Sequence, residues 1–401
     1  MRVYRFLVLI LLLTSGATAS LAAPVVRDMR IGVHPDKTRF VLDLSEEIPY
    51  RAFTLPDPFR VVVDLPEVEW AAGEPPIGET SGVVRAMRFG RFEPGTMRIV
   101  LDVARPVVIE KVYVLAPRDG KTHRFVLDLK TVSAAEYASL RAAQPVSSSA
   151  PLVPPRPAIA RLKPRRKPIN TLPMIVVDAG HGGVDPGAIS VIGYKEKDLT
   201  LDYAKALRDA LLATGRYRVT MTRSDDRFIK LRDRMGIAQQ AGGDLFISLH
   251  ANSHNSRKIR GASVYTVSEK ASDAEAARVA EKENAADAIA GVNLSQHPDD
   301  VRDILLDLTW RETKNLSKQF ADTIITEVGT VNSLLPNSHR FAGFAVLKSP
   351  TVPSILLEVG YMSHPKEAQM LQRRSHRNKI VRAMVRAIDR YFEWQQMVSR
   401  T

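Results

Sequence analysis

Two histidines and two glutamates occupy positions from which they could bind a metal and hydrolyse an amide. His181 follows the apolar run MIVVD, His250 ends DLFISLH, and Glu358 ends SILLE. Glu196 lies in YKEKDLTL, immediately before a predicted helix. Ligands of open α/β sheets bind beyond the carboxyl ends of the strands. Neighbouring strands would therefore bring these side chains to one edge of a sheet.

The chemistry that such a set could perform is metal-assisted hydrolysis. Two imidazoles and a carboxylate form hydrolytic zinc sites with an open fourth position, where zinc activates water and polarises a carbonyl. A second carboxylate can accept the water proton and pass it to the leaving amine. The sequence therefore predicts His181, Glu196 and His250 as Zn²⁺ ligands, Glu358 as the base, and Asp178 as a residue that orients a ligand histidine. The chain has no cysteine, so thiolate ligands are excluded.

Each of these residues also has a simpler structural interpretation. His181 could be a turn histidine, His250 a buried histidine with satisfied hydrogen bonds, and Glu196 part of a solvated charged run. Glu358 follows four apolar residues, where a carboxylate is seldom buried without a partner, and this favours a function. The stretch GHGGVDPG is not a phosphate loop, because it lacks both the GK[ST] ending and the GxGxxG spacing.

Strands and helices that could position these residues alternate from Pro173 onward. The predicted strands are MIVVDAG, YRVTMTR, DLFISLH, GASVYTV, GFAVLK and SILLEVG. The predicted helices are DLTLDYAKALRDALLAT with Asp198 as N-cap, KLRDRMGIAQQAGG, a helix over 312–331 and HRNKIVRAMVRAIDRYFEW. This alternation predicts an α/β domain over 173–401, with a mostly parallel sheet flanked by helices. Residues 268–311 interrupt the alternation, and an insertion of that length is typical of a lid or a regulatory element.

A repeated strand pattern fills the first part of the chain. RFVLDL at 39–44, RVVVDL at 60–65, RIVLDV at 98–103 and RFVLDL at 124–129 share an Arg, three apolar residues, an Asp and another apolar residue. The two pairs suggest a duplicated unit, and many short strands predict a small β-sandwich over 24–132. We interpret the Arg and Asp as charges that keep strand ends in water. No catalytic constellation is present, which leaves binding or targeting as the role of this domain.

The remaining segments indicate export. Residues 1–23 resemble a secretory signal, with Arg2 and Arg5, a short apolar run and A-x-A-like sites. This N-terminal segment has no Arg-Arg pair, so we expect the Sec route to the periplasm and a mature protein without a transmembrane anchor. The net charge of +13 favours an anionic partner, which in an exported protein is an envelope polymer rather than nucleic acid. Residues 133–172 are rich in Pro, Ser and basic residues and predict an extended linker.

The predicted site resembles that of the zinc-dependent N-acetylmuramoyl-L-alanine amidases of the AmiA/AmiB/AmiC type. DAGHGGVDPGAIS…YKEKDLTL, FISLHANS, GASVYTVS and PSILLEVGYMSHPKE occur in that family's order. The resemblance implies hydrolysis of the amide between N-acetylmuramic acid and the L-alanine of the stem peptide. It places zinc on His181, Glu196 and His250 and makes Glu358 the catalytic glutamate. The N-terminal part is similar to the AMIN domain, a β-sandwich that binds peptidoglycan and directs amidases to the division septum.

The resemblance also implies regulation. In regulated members a helix at the place of residues 268–311 covers the zinc site, and a LytM-domain activator moves it at the septum. The segment AEKENAAD carries Glu281 and Glu283. We expect one of them, with Glu283 favoured, to take the open metal position in the resting enzyme. The sequence leaves two other functions open: another zinc hydrolase of the envelope, such as a peptidase or a deacetylase, and a non-catalytic cell-wall-binding protein.

Overall fold

Most of the chain is described by the computed structural model. The described residues are 23–73, 81–117, 122–140, 146–147, 172–292 and 304–398. The signal predicted over 1–23 falls outside them except for its last residue, and so does most of the linker predicted over 133–172. The described residues contain no helix that is both long and apolar enough to cross a membrane.

The N-terminal part is a β-sandwich with one short helix. Its elements are β1 (Val25–Val33), β2 (Thr38–Leu44), β3 (Arg51–Leu55), β4 (Arg60–Pro66), β5 (Glu69–Trp70), β6 (Val84–Glu93), β7 (Thr96–Val103), β8 (Val107–Leu115), β9 (His123–Thr131), α1 (Ala134–Leu140) and β10 (Val146–Ser147). They form two sheets, ordered β5-β1-β2-β9-β8 and β10-β3-β4-β7-β6. The strands alternate their side chains between two faces, and the inner faces of both sheets supply one apolar core. The predicted β-sandwich is confirmed.

The four repeated strands pair between the two repeats and not within them. β2 pairs with β9, where Arg39 faces Asp128, and β4 pairs with β7, where Asp64 faces Arg98. Because Arg and Asp lie four residues apart, an antiparallel register sets each Arg opposite its partner's Asp. The Arg Nε to Asp Oδ1 distance is 2.6 Å in both pairs. Asp64 and Asp128 are buried, so the expectation that these charges keep strand ends in water is wrong for them.

The first residues of the predicted linker belong to the sandwich. Ser133 Oγ accepts a hydrogen bond from the Glu136 N–H at the start of α1, and the Tyr137 ring packs edge-on against Phe59 at 5.3 Å. β10 then adds to the edge of the second sheet beside β3. The expectation of an extended chain is therefore wrong for α1, where a cap and one buried aromatic residue stabilise a helix.

The second part is an α/β domain. Its elements are β11 (Met174–Ala179), α2 (Glu196–Ala213), β12 (Arg218–Met221), α3 (Leu231–Gln240), β13 (Leu245–Asn252), β14 (Ala262–Val267), α4 (Ala274–Asn284), α5 (Ala286–Ile289), α6 (Ile304–Val328), β15 (Leu334–Ala342), β16 (Ser354–Tyr361), α7 (Pro365–Gln372) and α8 (Arg374–Val398). The sheet order is β12-β11-β13-β16-β14-β15, and only the β14–β16 pair is antiparallel. Helices α2, α6 and α8 pack on one face, and α3 and α4 pack on the other. The predicted fold class is confirmed.

Three details of the α/β domain differ from the sequence prediction. The strand predicted at GFAVLK is a 3-10 turn, Ala345–Leu347, and the strand is β15, an edge strand whose Pro336 and polar residues hide the alternation. The helix predicted from residue 312 begins at Ile304, so the end of the predicted insertion belongs to α6. Asp198 lies inside the first turn of α2, whose N-cap is Lys195.

Candidate metal centre and active site

Four buried side chains converge beyond the carboxyl ends of β11 and β13. His181 Nε2 lies 3.0 Å from Glu196 Oε1 and 3.4 Å from Glu283 Oε2. His250 Nδ1 lies 3.2 Å and 3.1 Å from the same two oxygens. Four ligands held about 2.0–2.1 Å from a tetrahedral zinc ion would be about 3.3 Å apart. The four nitrogen–oxygen distances are therefore compatible with a tetrahedral metal site.

Strand order brings these groups together. β11, β13 and β16 are neighbours, and Glu358 stands directly beside His250 in the β13–β16 register. The sequence prediction required the strands before His181, His250 and Glu358 to be neighbours, and they are. Glu196 reaches the same edge from the first turn of α2, where the N–H groups of Ala188 and Ala251 donate to its two carboxylate oxygens.

A strained turn presents His181. Its φ is +59°, a value that non-glycine residues seldom adopt and that often marks a functional site. Two glycines make room around the imidazoles. A Cβ on Gly187 would lie 2.7 Å from His181 Cδ2, and a Cβ on Gly180 would lie 2.4 Å from the His250 ring. The glycines of DAGHGGVDPG thus allow a close approach of backbone to the two imidazole rings.

Asp185, and not Asp178, orients the His181 ring. Asp185 Oδ2 lies 2.8 Å from His181 Nδ1, which leaves Nε2 directed at the site. Asp178 accepts hydrogen bonds from Thr222, Ser248 and Arg234. Asp178 therefore does not contact the His181 ring as predicted. It is connected to this histidine only through Arg234, which also donates to the His181 carbonyl.

Two buried arginines brace the loop that carries His181. Arg234 donates to the carbonyls of Ala179 and His181, and Arg223 donates to those of Ala179 and Gly180. Neither residue was predicted from the sequence, since no spacing distinguishes them from the other arginines. The available sequence signal was weak: Arg223 ends a predicted strand, and Arg234 lies inside a predicted helix.

The charges at the centre are balanced by an unpredicted lysine. Lys282 Nζ lies 3.0 Å from Glu283 Oε1 and 3.8 Å from Glu196 Oε2. Burial alone would raise the pKa of both carboxyls, but the nearby imidazoles and Lys282 outweigh it and hold both pKa values below their usual range. Burial alone would lower the pKa of His250. The carboxylates of Glu283 and Glu196 outweigh this effect and raise the pKa to about 9.

The raised imidazole pKa fits a metal site. The pKa of His181 is also raised, because Asp185, Glu196 and Glu283 outweigh its burial. A raised pKa favours the protonated form of each ring, and a metal ion bound there would take the place of the proton. His181 Nε2, although buried, makes no hydrogen bond within the described residues. A buried ring nitrogen that lies 3.0 and 3.4 Å from two carboxylate oxygens, without an aligned hydrogen bond, fits the role of a metal ligand.

Glu358 differs from the other carboxylates. It is fully buried, and neither of its carboxylate oxygens makes a hydrogen bond within the described residues. Burial raises the pKa of Glu358 to about 8, and the charges of Glu196 and Glu283 add to the shift. A buried carboxylate beside His250 with no hydrogen-bond partner among the described residues fits an acid–base role.

The shifted pKa of Glu358 predicts how stability depends on pH. Between its ordinary value of 4.5 and about 8 the unfolded chain ionises this group while the folded chain keeps the proton. The stability of the metal-free wild type should therefore fall as pH rises through this window. The Glu358→Gln variant has no such group to ionise. Its free energy of unfolding, compared with that of the wild type, should therefore increase from pH 5 to pH 8, by about 1.4 kcal/mol for each unit of pKa shift. Denaturant unfolding in chelator measures it, and an equal difference at both pH values would contradict the assignment.

The fold and the site together define a class. An α/β domain with two histidines and carboxylates at the carboxyl edge of its sheet, and a separate buried glutamate beside them, is a metal-dependent hydrolase. Comparison with known proteins gives the family. The chain belongs to the N-acetylmuramoyl-L-alanine amidases, whose family model (Amidase_3) matches residues 175–390, and an AMIN domain matches residues 28–129.

Two AmiC proteins match nearly the full length of the chain, and an AmiA protein matches part of it. The chain is 32% identical to the N-acetylmuramoyl-L-alanine amidase AmiC of Escherichia coli O6:H1 over 95% of this chain and 93% of that protein. It is 31% identical to AmiC of Neisseria meningitidis over 94% and 92%, and 38% identical to AmiA of Escherichia coli K12 over 58% and 80%. The protein is therefore a peptidoglycan amidase with an N-terminal AMIN domain. None of these findings favours a peptidase, a deacetylase or a non-catalytic protein.

Proposed function

We propose that the amidase uses zinc held by His181, Glu196 and His250, with Glu358 as the catalytic base. The observation that carries this proposal is the set of distances, 3.0 and 3.2 Å, between Glu196 Oε1 and the two imidazole nitrogens. Nitrogen and carboxylate ligands without a thiolate suit a hydrolytic zinc site with one open position. Zinc bound there would make a water more acidic and polarise the lactyl carbonyl of N-acetylmuramic acid.

Glu358 performs the proton transfers. As a carboxylate it accepts a proton from the attacking water, whose oxygen bonds to the carbonyl carbon. It then delivers this proton to the amide nitrogen as the carbon–nitrogen bond breaks, which leaves a free L-alanine amino group on the stem peptide. Its burial supports both steps, because a raised pKa brings the group close to the pH at which it must accept and release protons.

We further propose that Glu283 blocks the fourth position in the resting enzyme. Its Oε2 lies 3.1–3.4 Å from both imidazole nitrogens, and its side chain is 4% exposed. Glu281, the other candidate, is exposed. The Asn284 side chain fixes the end of α4 by bonds to Gly343 O and to the Ala345 N–H. A LytM-domain activator would have to lift α4 to admit the substrate.

The location follows from the substrate. Peptidoglycan lies in the cell envelope, and we propose that the segment 1–23 directs Sec export to the periplasm. An AMIN domain over 24–132 would then concentrate the enzyme at the division septum. The basic charge of the chain supports an interaction with an anionic wall polymer.

Removing the blocking carboxylate should activate the enzyme. We expect the Glu283→Ala variant to release dye from labelled peptidoglycan at least about tenfold faster than the wild type, which corresponds to ~1.4 kcal/mol lost from the blocked state. The matched control is Glu281→Ala, an exposed glutamate on the same helix. An unchanged rate for Glu283→Ala, with zinc content and fold preserved, would contradict the proposal that Glu283 blocks the site. The assignment as an amidase would not be affected.

A further inference from the structure

One outer face of the β-sandwich is buried although it points away from the sandwich core. On β4 and β7, Val61, Val63 and Ile99 point into the core. Val62 and Val100 alternate with these residues and so point outward, yet both are 0% exposed. An apolar outer face that is fully covered indicates a specific contact, and the α/β domain supplies the cover.

The segment that covers this face directly follows the blocking helix. Arg98 Nη1 donates to the carbonyls of Ala290 and Gly291, at 3.1 and 3.0 Å. Arg88 Nη2 donates to the carbonyl of Ile289 at 3.3 Å. These carbonyls lie at the last residue of α5 and just beyond it, where a helix leaves its carbonyl acceptors unpaired. The two arginines of the sandwich therefore satisfy the polar groups at the end of the α4–α5 segment, eight residues or fewer beyond Glu283.

Arg98 is itself held rigidly. It pairs with Asp64 through two hydrogen bonds of 2.6 and 2.7 Å, and its guanidinium lies 3.4 Å from the centroid of the Phe92 ring. Both members of the pair are buried. A planar, paired guanidinium loses little further freedom when it binds the carbonyls.

An apolar cluster joins the two domains beside these bonds. Phe92 and Val100 of the sandwich pack with Phe228, Ala290 and Val292. The rings of Phe92 and Phe228 are stacked with their centroids 5.8 Å apart. Burial of apolar surface is the main source of stability in such a contact.

The same contact reaches the loop of His181. A Cβ on Gly90 would lie 2.3 Å from the backbone carbon of Gly183, two residues after that histidine. The Phe228 N–H donates to Arg91 O, and Lys230 pairs with Glu93 at 2.8 Å at the rim. The sandwich thus contacts both the zinc-binding loop and the segment that carries Glu283.

We propose that this face of the sandwich is a clamp that holds the α4–α5 segment over the active site. The proposal rests on the block by Glu283 and adds the partner that stabilises it, which is the AMIN domain of the same chain. Docking of the sandwich and occupation of the site by Glu283 are then coupled, because α5 connects them directly. Opening the interface lowers the stability of the blocked state and raises the amidase rate.

The first test uses the full chain with Val100→Asp. A carboxylate at this position is incompatible with the docked interface, but the position is solvated once the domains separate, so the sandwich can keep its fold. We expect a several-fold higher rate of dye release, below or equal to that of Glu283→Ala. The matched control is Val33→Asp, the same change at a sandwich valine that is 55% exposed, which should leave the rate unchanged.

The second test remains valid even if Val100→Asp does not fold. The chain has no cysteine, and a Cβ on Gly291 would lie 2.8 Å from Val62 Cγ2, so the double variant Val62→Cys/Gly291→Cys can form one disulfide across the interface. Because the φ of Gly291 is +70°, a side chain there is strained, and the oxidised form is therefore compared with the reduced form of the same variant. Its oxidised form should hydrolyse peptidoglycan more slowly than its reduced form. Equal rates for the two forms would overturn the clamp.

The results separate the clamp from the block. If Glu283→Ala is activated while Val100→Asp stays at the wild-type rate and the oxidised and reduced cysteine pairs have equal rates, the clamp is wrong and the block stands. If neither Glu283→Ala nor Val100→Asp is activated, the block is wrong and the clamp has nothing to hold. Activation of both, together with a slower oxidised cysteine pair, supports the coupling.

Discussion

Replacing Glu358 with glutamine should lower the turnover number on peptidoglycan by about 10²–10⁴-fold, the range of a lost general base. Glutamine keeps the shape of the side chain but cannot accept the water proton. Among the ion pairs of the described residues, Glu196 and Glu283 contact the two imidazoles and Glu358 does not, so the zinc content should remain that of the wild type. The measurement is the rate of dye release from labelled peptidoglycan, with zinc counted by mass spectrometry in the same preparation.

The control for this variant is Glu281→Gln, the same chemical change on an exposed glutamate. It should match the wild type in both rate and zinc content. A Glu358→Gln protein that keeps its zinc and its full rate would remove Glu358 from the mechanism. One that loses both would make Glu358 part of the metal site.

Replacing either ligand histidine with alanine should abolish zinc binding and activity together. His181→Ala or His250→Ala removes one of three protein ligands, and we expect less than about 1% of the wild-type rate, because a hydrolytic zinc site needs all three. Zinc should also stop raising the melting temperature, since only binding to the folded chain stabilises it. Zinc stoichiometry and thermal unfolding with and without zinc are the measurements.

The imidazole pKa values add a pH test to the same experiment. Both values are raised, so protons compete with the metal, and zinc uptake by the wild type should weaken as pH falls. His34→Ala, at an exposed histidine of the sandwich, serves as the control and should behave as the wild type. A His181→Ala protein with full zinc occupancy and full activity would contradict the proposed site.

The sequence was most informative where chemistry depends on strand ends. His181, His250 and Glu358 each close a strong apolar run, and the alternation of elements predicted a mostly parallel sheet that gathers such ends at one edge. Glu196 was harder to predict, because a charged run such as KEKD is usually solvated. Its burial depends on two backbone N–H donors from Ala188 and Ala251 that only the fold brings near.

The groups that support the ligands could not be predicted in this way. Asp185 lies four residues after His181 and Asp178 lies three residues before it, and only the conformation of the turn decides which carboxylate contacts the ring. Lys282 belongs to a segment with many charged residues. Its contacts with Glu196 and Glu283 depend on which face of α4 packs against the site. The brace formed by Arg223 and Arg234 likewise depends on tertiary contacts between distant segments.

In the sandwich the repeats predicted strands but not their partners. The pattern RFVLDL is compatible with strand pairing inside a repeat or between repeats. The structure sets Arg39 opposite Asp128 and Arg98 opposite Asp64, which is pairing between repeats. The outward burial of Val62 and Val100 could not be predicted either. Alternation within a strand says which face a residue occupies, and not whether another domain covers that face.

The most direct test of the mechanism is mass spectrometry of peptidoglycan digested by the zinc-loaded Glu283→Ala protein, with and without Glu358→Gln. We expect the single variant to release free stem peptides that begin with an L-alanine amino group and to leave intact glycan strands. The double variant should release almost none. Cleavage within the stem peptide, loss of acetyl groups from the sugars, or equal release by the double variant would contradict a zinc amidase that uses Glu358 as its base.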